Sequence, residues 1–289
     1  MGIIIGSLAR QNWHRQIRQR RLGPAEAFDY VFDKTAAIGR QFGFSPMGID
    51  FGVRSLPTTD RAYLDELKAR LKENDMVAMV GFGGVSVSND AEVRDASLAD
   101  ARRGLELVAQ LGVRTSNFGC GLNGRVTREG QIKKAIEMLT EVGQVAKGYG
   151  IRICQENYDS FTSDELIRIS EGTGLDNVGI QSDTGNWLIL GEDPVEATRK
   201  CLPLTFHTHV RDYVLENDTY NGVAVGAGLI DFSKVLPLLA QAGEKEDITF
   251  SMEVDTDDRD EDQCAQDSYA YLRRWLTENR HTTYLKAQA

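Results

Sequence analysis

The sequence lacks any apolar run that approaches the ~20 residues of a transmembrane helix, and its N-terminus has no apolar stretch typical of a signal peptide. It contains only four cysteines, which are widely scattered and form no C-x-x-C pair: Cys120, Cys154, Cys201 and Cys264. These shortages exclude a membrane-spanning chain, a disulfide scaffold and a thiolate zinc site. We therefore expect a cytoplasmic protein whose thiols are reduced.

Basic residues are outnumbered by acidic residues, since the chain has 33 Lys and Arg and 43 Asp and Glu, which give a net charge of −10. This sign weighs against a nucleic-acid partner, because nucleic acids are themselves densely negative. Apolar residues make up 41% and charged residues 26% of the 289 positions, as in an ordinary globular protein. The composition therefore excludes a disordered or fibrous chain.

Apolar runs alternate with segments of helical periodicity along the whole chain. The runs cover residues 2–6, 47–51, 76–82, 113–118, 151–155, 177–182, 204–209 and 247–253. The helical segments cover residues 24–42, 59–73, 96–111, 127–148, 162–172, 194–201, 231–242 and 261–279. Eight such units without a linker predict an α/β fold, a single (β/α)8 TIM-barrel domain over residues 1–289. The alternative is an open doubly wound sheet, but the first turn, GSLARQNW, lacks a glycine-rich nucleotide fingerprint.

Four potential metal ligands end four consecutive strands of this barrel, namely Glu156, Asp183, His209 and Glu253. Their spacings of 27, 26 and 44 residues each fit one strand–helix unit, so the side chains are expected at one side of the barrel mouth. Each residue alone has a structural explanation, such as a helix cap or an ion pair. Together, three carboxylates in one place repel unless a cation neutralises them. The set favours one divalent ion, Mn²⁺ first, with Mg²⁺, Co²⁺ and Zn²⁺ as alternatives.

Longer motifs surround these residues. The run NVGIQSDTGNWLILGEDPVEA, followed by FHTHVRDY, GAGLIDF and FSMEVD, resembles the sugar phosphate isomerase/epimerase family. These are xylose-isomerase-like TIM barrels, a superfamily that also contains endonuclease IV. The resemblance is strongest over residues 150–255. These motifs are specific for the family, but they are much less specific for the reaction that a member of the family catalyses.

The resemblance implies roles for individual residues. Glu156, Asp183, His209 and Glu253 match the four metal ligands of the family, and Glu156 and Glu253 also match its acid/base pair. Arg211 matches the basic residue of the family's H-V-K-D motif and would contact a substrate oxygen. The alternative for Arg211 is an ion pair with Asp212. The segment GAGLID at 226–231 is expected to form a turn and a helix start.

Three positions depart from the ketose 3-epimerase pattern. Asn186 stands where these enzymes and endonuclease IV have a histidine, Thr162 where a second glutamate is usual, and Leu215 where an arginine is usual. These differences weigh against a ketose 3-epimerase. Endonuclease IV needs further histidine ligands for a trinuclear cluster, and this chain has only four histidines, so that activity is disfavoured.

The chemistry expected of such a site begins with removal of a proton α to a carbonyl, which yields a metal-bound ene-diolate. Reprotonation gives a sugar isomerase or epimerase. Expulsion of a β-substituent gives a lyase instead, either a dehydratase or a keto-glycoside deglycosidase. An alternative of another class is a non-catalytic sugar-binding subunit, which would tend to have lost at least one of the four ligands.

The substrate is expected to be a small carbohydrate or polyol, held by His14, Asn186, Trp187 and Arg211. Packing in the core or in a lid is the structural alternative for the aromatic ring of Trp187. Further candidates in the loops after the first four strands are Trp13, Asp50, Arg54, Phe82, Asn117, Cys120 and Asn123. His207 is expected to lie one layer below His209 in a buried, hydrogen-bonded role.

The first 21 residues contain five arginines and no acid, whereas residues 255–262 contain six acids and one arginine. The basic arm is either a lid that recruits a phosphate or carboxylate, or a solvated or subunit-contacting loop. The acidic segment is either a solvated helix approach or the partner of that arm. A homo-oligomer or a heteromeric enzyme subunit is therefore also considered.

Overall fold

The structure, a computed structural model, describes residues 1–122, 126–158, 161–256 and 258–286. Its strands are β1 (Ile3–Leu8), β2 (Met47–Gly52), β3 (Met76–Gly81), β4 (Gly84–Ser86), β5 (Thr115–Gly121), β6 (Arg152–Glu156), β7 (Val178–Asp183), β8 (Thr205–Val210), β9 (Asp212–Glu216), β10 (Thr219–Val223) and β11 (Ile248–Met252).

Helices follow the strands in alternation. They are α1 (Ala9–Asn12), α2 (His14–Arg20), α3 (Pro24–Phe42), α4 (Arg61–Glu73), α5 (Ala91–Leu111), α6 (Arg128–Gly148), α7 (Ser163–Gly172), α8 (Thr184–Ile189), α9 (Pro194–Cys201), α10 (Phe232–Ala242) and α11 (Glu261–Glu278). Two 3₁₀ turns occupy Val53–Ser55 and Leu202–Leu204.

The large sheet is parallel throughout, in the order β3-β2-β1-β11-β8-β7-β6-β5-β4. Two backbone hydrogen bonds join the segment that follows β3 to β5. Phe82 donates to the carbonyl of Asn117 at 3.1 Å, and Gly119 donates to the carbonyl of Gly83 at 3.1 Å. These bonds bring the two sides of the curled sheet together as a TIM barrel.

The predicted fold class is confirmed, and the eight apolar runs coincide with β1, β2, β3, β5, β6, β7, β8 and β11. Local capping explains where one predicted boundary was wrong. Helix α5 begins at Ala91 instead of residue 96, because the carboxylate of Asp90 accepts the backbone N–H of Glu92 at 2.9 Å.

Three features of the fold were not predicted from the sequence pattern. Helices α1 and α2 lie in the first predicted loop, α8 follows directly on β7, and the loop at 212–230 holds the antiparallel hairpin β9–β10. Short helices and hairpins such as these carry too few periodic positions to be recognised. None of the helices in the described ranges is both long and apolar enough to cross a membrane.

Candidate metal centre

Four acidic and imidazole side chains meet at the carboxyl ends of neighbouring strands. Glu156 is the last residue of β6, Asp183 the last of β7, His209 lies in β8, and Glu253 directly follows β11. One ligand atom from each lies within 4.8 Å of the others. His209 Nδ1 is 3.1 Å from Glu156 Oε1, 3.2 Å from Glu253 Oε2 and 3.8 Å from Asp183 Oδ2.

The register of the parallel ladders explains this convergence. Glu156 pairs with Gln181, Asp183 with His209, and His209 with Ser251. Side chains alternate between the two faces of a strand, so Gln181 and Asp183 share a face, as do Ser251 and Glu253. The four groups therefore project from the same side at the same end of the sheet.

Asn157, directly after Glu156, fixes the backbone of the next ligand. Its Nδ2 donates to the carbonyl of Asp183 at 3.0 Å, and its Oδ1 accepts the N–H of Asp183 at 2.8 Å. Thr184 does the same one strand further on, because its hydroxyl donates to the carbonyl of Arg211 at 2.7 Å and accepts the N–H of Arg211 at 2.9 Å. Each strand end is thus tied to its neighbour by a buried side chain.

Asn12 holds the backbone next to a ligand in the same way on the other side of the site. Its Nδ2 donates to the carbonyl of Met252 at 3.0 Å and its Oδ1 accepts the N–H of Val254 at 2.7 Å, so the backbone is held on both sides of Glu253. The N–H of Glu253 itself donates to the carbonyl of Val210 at 3.0 Å. These contacts restrict where the Glu253 carboxylate can lie.

Burial and the charges of neighbouring groups together set the pKa of each residue in the cluster. Burial raises the pKa of Asp183, and the charge of Glu156 adds to that rise. Burial also acts to raise the pKa of Glu156, but His209 and Arg211 outweigh it and leave that pKa below its usual value. Burial would lower the pKa of His209, yet Glu156 and Asp50 together raise it to about 10.

A divalent cation fits this donor set. Asp183 Oδ2 is buried and has no hydrogen-bond partner among the described residues, whereas Asp183 Oδ1 accepts the N–H groups of Gly185 and Asn186. The three carboxylates face one guanidinium, that of Arg211, which contacts Glu253 and lies 3.8 Å from Asp183. The uncompensated negative charge and the orphaned oxygen are what a bound cation would satisfy.

Two residues predicted to hold substrate lie against the four ligands. Arg211 is buried, and its Nη1 donates to Asn186 Oδ1 at 3.3 Å. Asn186 is also buried, and its Nδ2 has no partner within the described ranges. Asp212 does not pair with Arg211, so that alternative was wrong. Instead the Asp212 carboxylate accepts backbone N–H groups from the predicted turn, including those of Gly226 and Gly228.

The other two predicted substrate residues, Trp187 and His14, have different contacts. Trp187 is fully buried and its indole N–H donates to Ser182 Oγ at 3.1 Å, so the ring packs in the barrel wall and presents no surface to a ligand. His14 contacts Gln11 and Glu261, and its Nδ1 lies 3.6 Å from Asp255, two residues after Glu253.

Among the other loop candidates, Trp13, Phe82 and Cys120 are buried, Asn117 is half-buried, and Arg54 is exposed in a 3₁₀ turn. Asn123 lies outside the described residues.

The basic arm contacts the acidic segment of the same chain. The buried Glu261 carboxylate accepts the backbone N–H groups of Arg15 and Gln16 at 2.8 and 3.0 Å. Arg15 also donates to the carbonyl of Arg259 at 2.7 Å. The partnership between arm and acidic segment therefore exists within the chain, and it uses backbone groups together with side chains such as that of Trp13, whose Nε1 donates to Asp262.

Two side chains beside His209 were not assigned to this site by sequence reasoning. Gln181 Nε2 lies 3.2 Å from both ring nitrogens of His209. Asp50, expected in a specificity loop, is instead buried in β2 and contacts His207 and His209. Strand parity with Asp183 could have indicated Gln181, but nothing local indicates Asp50. His207 is buried and hydrogen-bonded as expected.

Comparison with known proteins places this geometry in context. A family model described as xylose isomerase-like TIM barrel matches residues 32–275. Inosose dehydratase of Bacillus thuringiensis (strain Al Hakam) is 27% identical over 138 residues, which are 42% of this chain and 46% of that enzyme. The chain thus spans about half the length of this curated relative.

Solved structures extend the likeness to almost the whole chain. An L-ribulose 3-epimerase is 20% identical with a TM-score of 0.72, covering 97% of this chain and 96% of its own. The IolI protein, whose crystal structure contains a zinc atom, is 16% identical with a TM-score of 0.70, covering 99% and 100%. At these identities the likeness shows the fold.

Proposed function

The chain belongs to the xylose isomerase-like TIM-barrel family, and we propose that it is a divalent-metal-dependent sugar isomerase or epimerase. The observation that carries the proposal is the cluster of Glu156, Asp183, His209 and Glu253 with ligand atoms within 4.8 Å. The epimerase among its structural neighbours supports the same reaction class. The substrate would be a small carbohydrate or polyol that carries a carbonyl group.

The four clustered residues would hold the ion. Carboxylate oxygens and one imidazole suit Mn²⁺, Mg²⁺, Co²⁺ or Zn²⁺, and the zinc atom in the IolI structure supports a site of this kind. We retain Mn²⁺ as the preferred ion because three of the four ligands are oxygens. When bound, the ion would supply positive charge for the oxygen that becomes negative as a proton leaves the adjacent carbon.

Glu156 and Glu253 would exchange protons with the substrate. The Glu156 side chain is 20% exposed at the mouth, so it can receive a proton from a bound ligand and pass it to solvent. The Glu253 side chain is only 4% exposed and is held by Arg211, so its orientation is restricted. Two carboxylates in different environments are suited to acid and base roles.

Arg211 and Asn186 would orient the substrate. Asn186 Nδ2 and Arg211 Nε are both buried N–H donors with no partner in the part of the chain that the structure describes. Buried donors without partners are costly, and hydroxyl or carbonyl oxygens of a sugar would satisfy them. The neighbourhood of the ligands thus offers donors suited to a neutral polyol.

Solvent-proton exchange tests the proposal. With Mn²⁺ present, we expect a C–H proton of at least one compound in a panel of ketoses, keto-sugars and keto-inositols to exchange in D₂O. EDTA should abolish the exchange, and Glu156→Gln or Glu253→Gln should slow it at least about 100-fold, the scale of general acid–base catalysis. Exchange with no compound by a folded, metal-loaded sample would refute the enzyme and favour a non-catalytic sugar-binding subunit.

A dehydratase is the second candidate, favoured by the partial match to inosose dehydratase. The same proton removal would then be followed by loss of a β-hydroxyl as water. Mass spectrometry of the keto-inositol reaction distinguishes the two functions, because an isomerase or epimerase leaves the mass unchanged and a dehydratase removes one water.

We propose in addition that residues 1–289 form one domain. Contacts that join the two ends of the chain support this, since Trp13 Nε1 donates to Asp262 at 2.9 Å and Lys34 Nζ donates to Asp262 at 2.7 Å.

A further inference from the structure

One carboxylate beneath the candidate metal centre contacts two histidines at once. Asp50 lies in β2, and its side chain is only 1% exposed. Its Oδ2 is 2.7 Å from His207 Nε2 and 3.1 Å from His209 Nε2. The rings of His207 and His209 meet edge to face, with centroids 5.4 Å apart and an interplanar angle of 83°. Both rings therefore direct one nitrogen at the same oxygen atom.

The charge of Asp50 decides which nitrogen of His209 carries a hydrogen. An ionised carboxylate can only accept hydrogen bonds, and the same Asp50 oxygen lies within hydrogen-bond distance of Nε2 of both histidines, at 2.7 and 3.1 Å. His209 Nε2 must therefore be the N–H donor to Asp50. The other nitrogen, Nδ1, faces Glu156, Asp183 and Glu253 at 3.1–3.8 Å.

We propose that Asp50 is a positioning residue that holds His209 with Nε2–H toward itself and the Nδ1 lone pair toward the cation of the proposed function, on which this inference rests. Hydrogen bonds from carboxylates to metal-ligating imidazoles fix both ring orientation and tautomer. Gln181 cannot take this role, because its Nε2 is 3.2 Å from both ring nitrogens and so does not distinguish them.

The same three side chains could be read as a second cation site, since Asp50, His207 and His209 also offer ligand atoms within 4.8 Å of one another. The distances favour hydrogen bonds instead. At 2.7 and 3.1 Å, Asp50 Oδ2 already satisfies both imidazole N–H groups. A second ion would also require His209 to bridge two cations through its two nitrogens.

The tautomer can be measured with Asp50 and both buried histidines left unaltered. In Zn²⁺-loaded, ¹⁵N-labelled protein, long-range ¹H–¹⁵N spectra should show His209 with a protonated Nε2 and no hydrogen on Nδ1. The sequence contains only four histidines. A double variant with His14→Gln and His281→Gln therefore leaves only the signals of the buried pair in the spectrum. A protonated Nδ1 on His209 would overturn the inference without any change at Asp50.

Metal affinity provides the second measurement. We expect Asp50→Ala to weaken Zn²⁺ and Mn²⁺ binding about 10- to 100-fold, the range found when such hydrogen-bond partners are removed. Asp50→Asn should weaken it less, because the amide oxygen can still accept from His209. The matched control is Glu261→Gln, another buried acid-to-amide change, which contacts the N-terminal arm and should leave affinity unchanged.

The outcomes separate this inference from the proposed function. Wild-type-like affinity in a folded Asp50→Ala variant would overturn the role of Asp50 while leaving the four-ligand site intact. Two bound ions in the wild type and one in Asp50→Ala would overturn it in favour of a second site. Failure of the wild type to bind either metal would overturn the proposed centre together with this inference.

Discussion

Replacing Asn157 by alanine removes two buried hydrogen bonds that hold the backbone of Asp183. The lost contacts are the 3.0 Å bond from Asn157 Nδ2 to the Asp183 carbonyl and the 2.8 Å bond from the Asp183 N–H to Asn157 Oδ1. A buried polar group without a partner costs about 1–3 kcal/mol, so two give about 2–6 kcal/mol. Water entering the space left by the amide would recover part of this, and we expect a loss of about 2–4 kcal/mol in unfolding free energy.

Urea denaturation of the metal-free protein measures this loss, and titration with Mn²⁺ measures its effect on the site. Asn177→Ala is a matched control, because Asn177 also makes two buried hydrogen bonds, in which its Nδ2 donates to the carbonyls of Gly143 and Ile151 at 2.9 and 3.1 Å, but at the opposite end of β7. Both variants should lose stability, and only Asn157→Ala should lose metal affinity. A stability loss below about 0.5 kcal/mol for Asn157→Ala, the level of a neutral surface substitution, would refute the reasoning, as would equal affinity losses in both variants.

Two further predictions concern the rest of the barrel. Burial raises the pKa of Cys120 and Cys201 to about 12, so both thiols should resist Ellman's reagent at pH 8 and react once denaturant is added; rapid reaction of the native protein would contradict this. At Gly228 a Cβ atom would lie 2.3 Å from Asp212 Oδ1, so Gly228→Ala should cost about 1–3 kcal/mol in thermal unfolding. Gly148→Ala, where a Cβ would meet nothing within 4 Å, is its control, and equal effects of the two substitutions would argue against the clash.

Much of the barrel was predictable because its strands are short, apolar and regularly separated by amphipathic helices. The positions of Glu156, Asp183 and Glu253 at strand ends could be read directly from where each apolar run stops. The direction of side chains along a strand alternates regularly, so His207 could be placed one layer below His209. These inferences use only local periodicity.

Other features depend on helices and loops that lack such periodicity. Trp187 was expected at the mouth, but the six-residue helix α8 turns its ring into the barrel wall and leaves Asn186 beside Arg211. Arg211 was expected either to bind substrate or to pair with Asp212. The turn that contains Gly226 and Gly228 donates backbone N–H groups to the Asp212 carboxylate. Arg211 instead contacts Glu253.

The sequence by itself determined the order of the eight barrel strands and of the long helices between them, and approximately where each strand ends, because both follow from local hydrophobic periodicity. Only the tertiary structure decided which polar side chains meet across the barrel. Asp50 and His209 are 159 residues apart, on strands that are not neighbours in the sheet, and they touch because the sheet curls. Contacts through a barrel interior depend on curvature and side-chain reach, which no local pattern encodes.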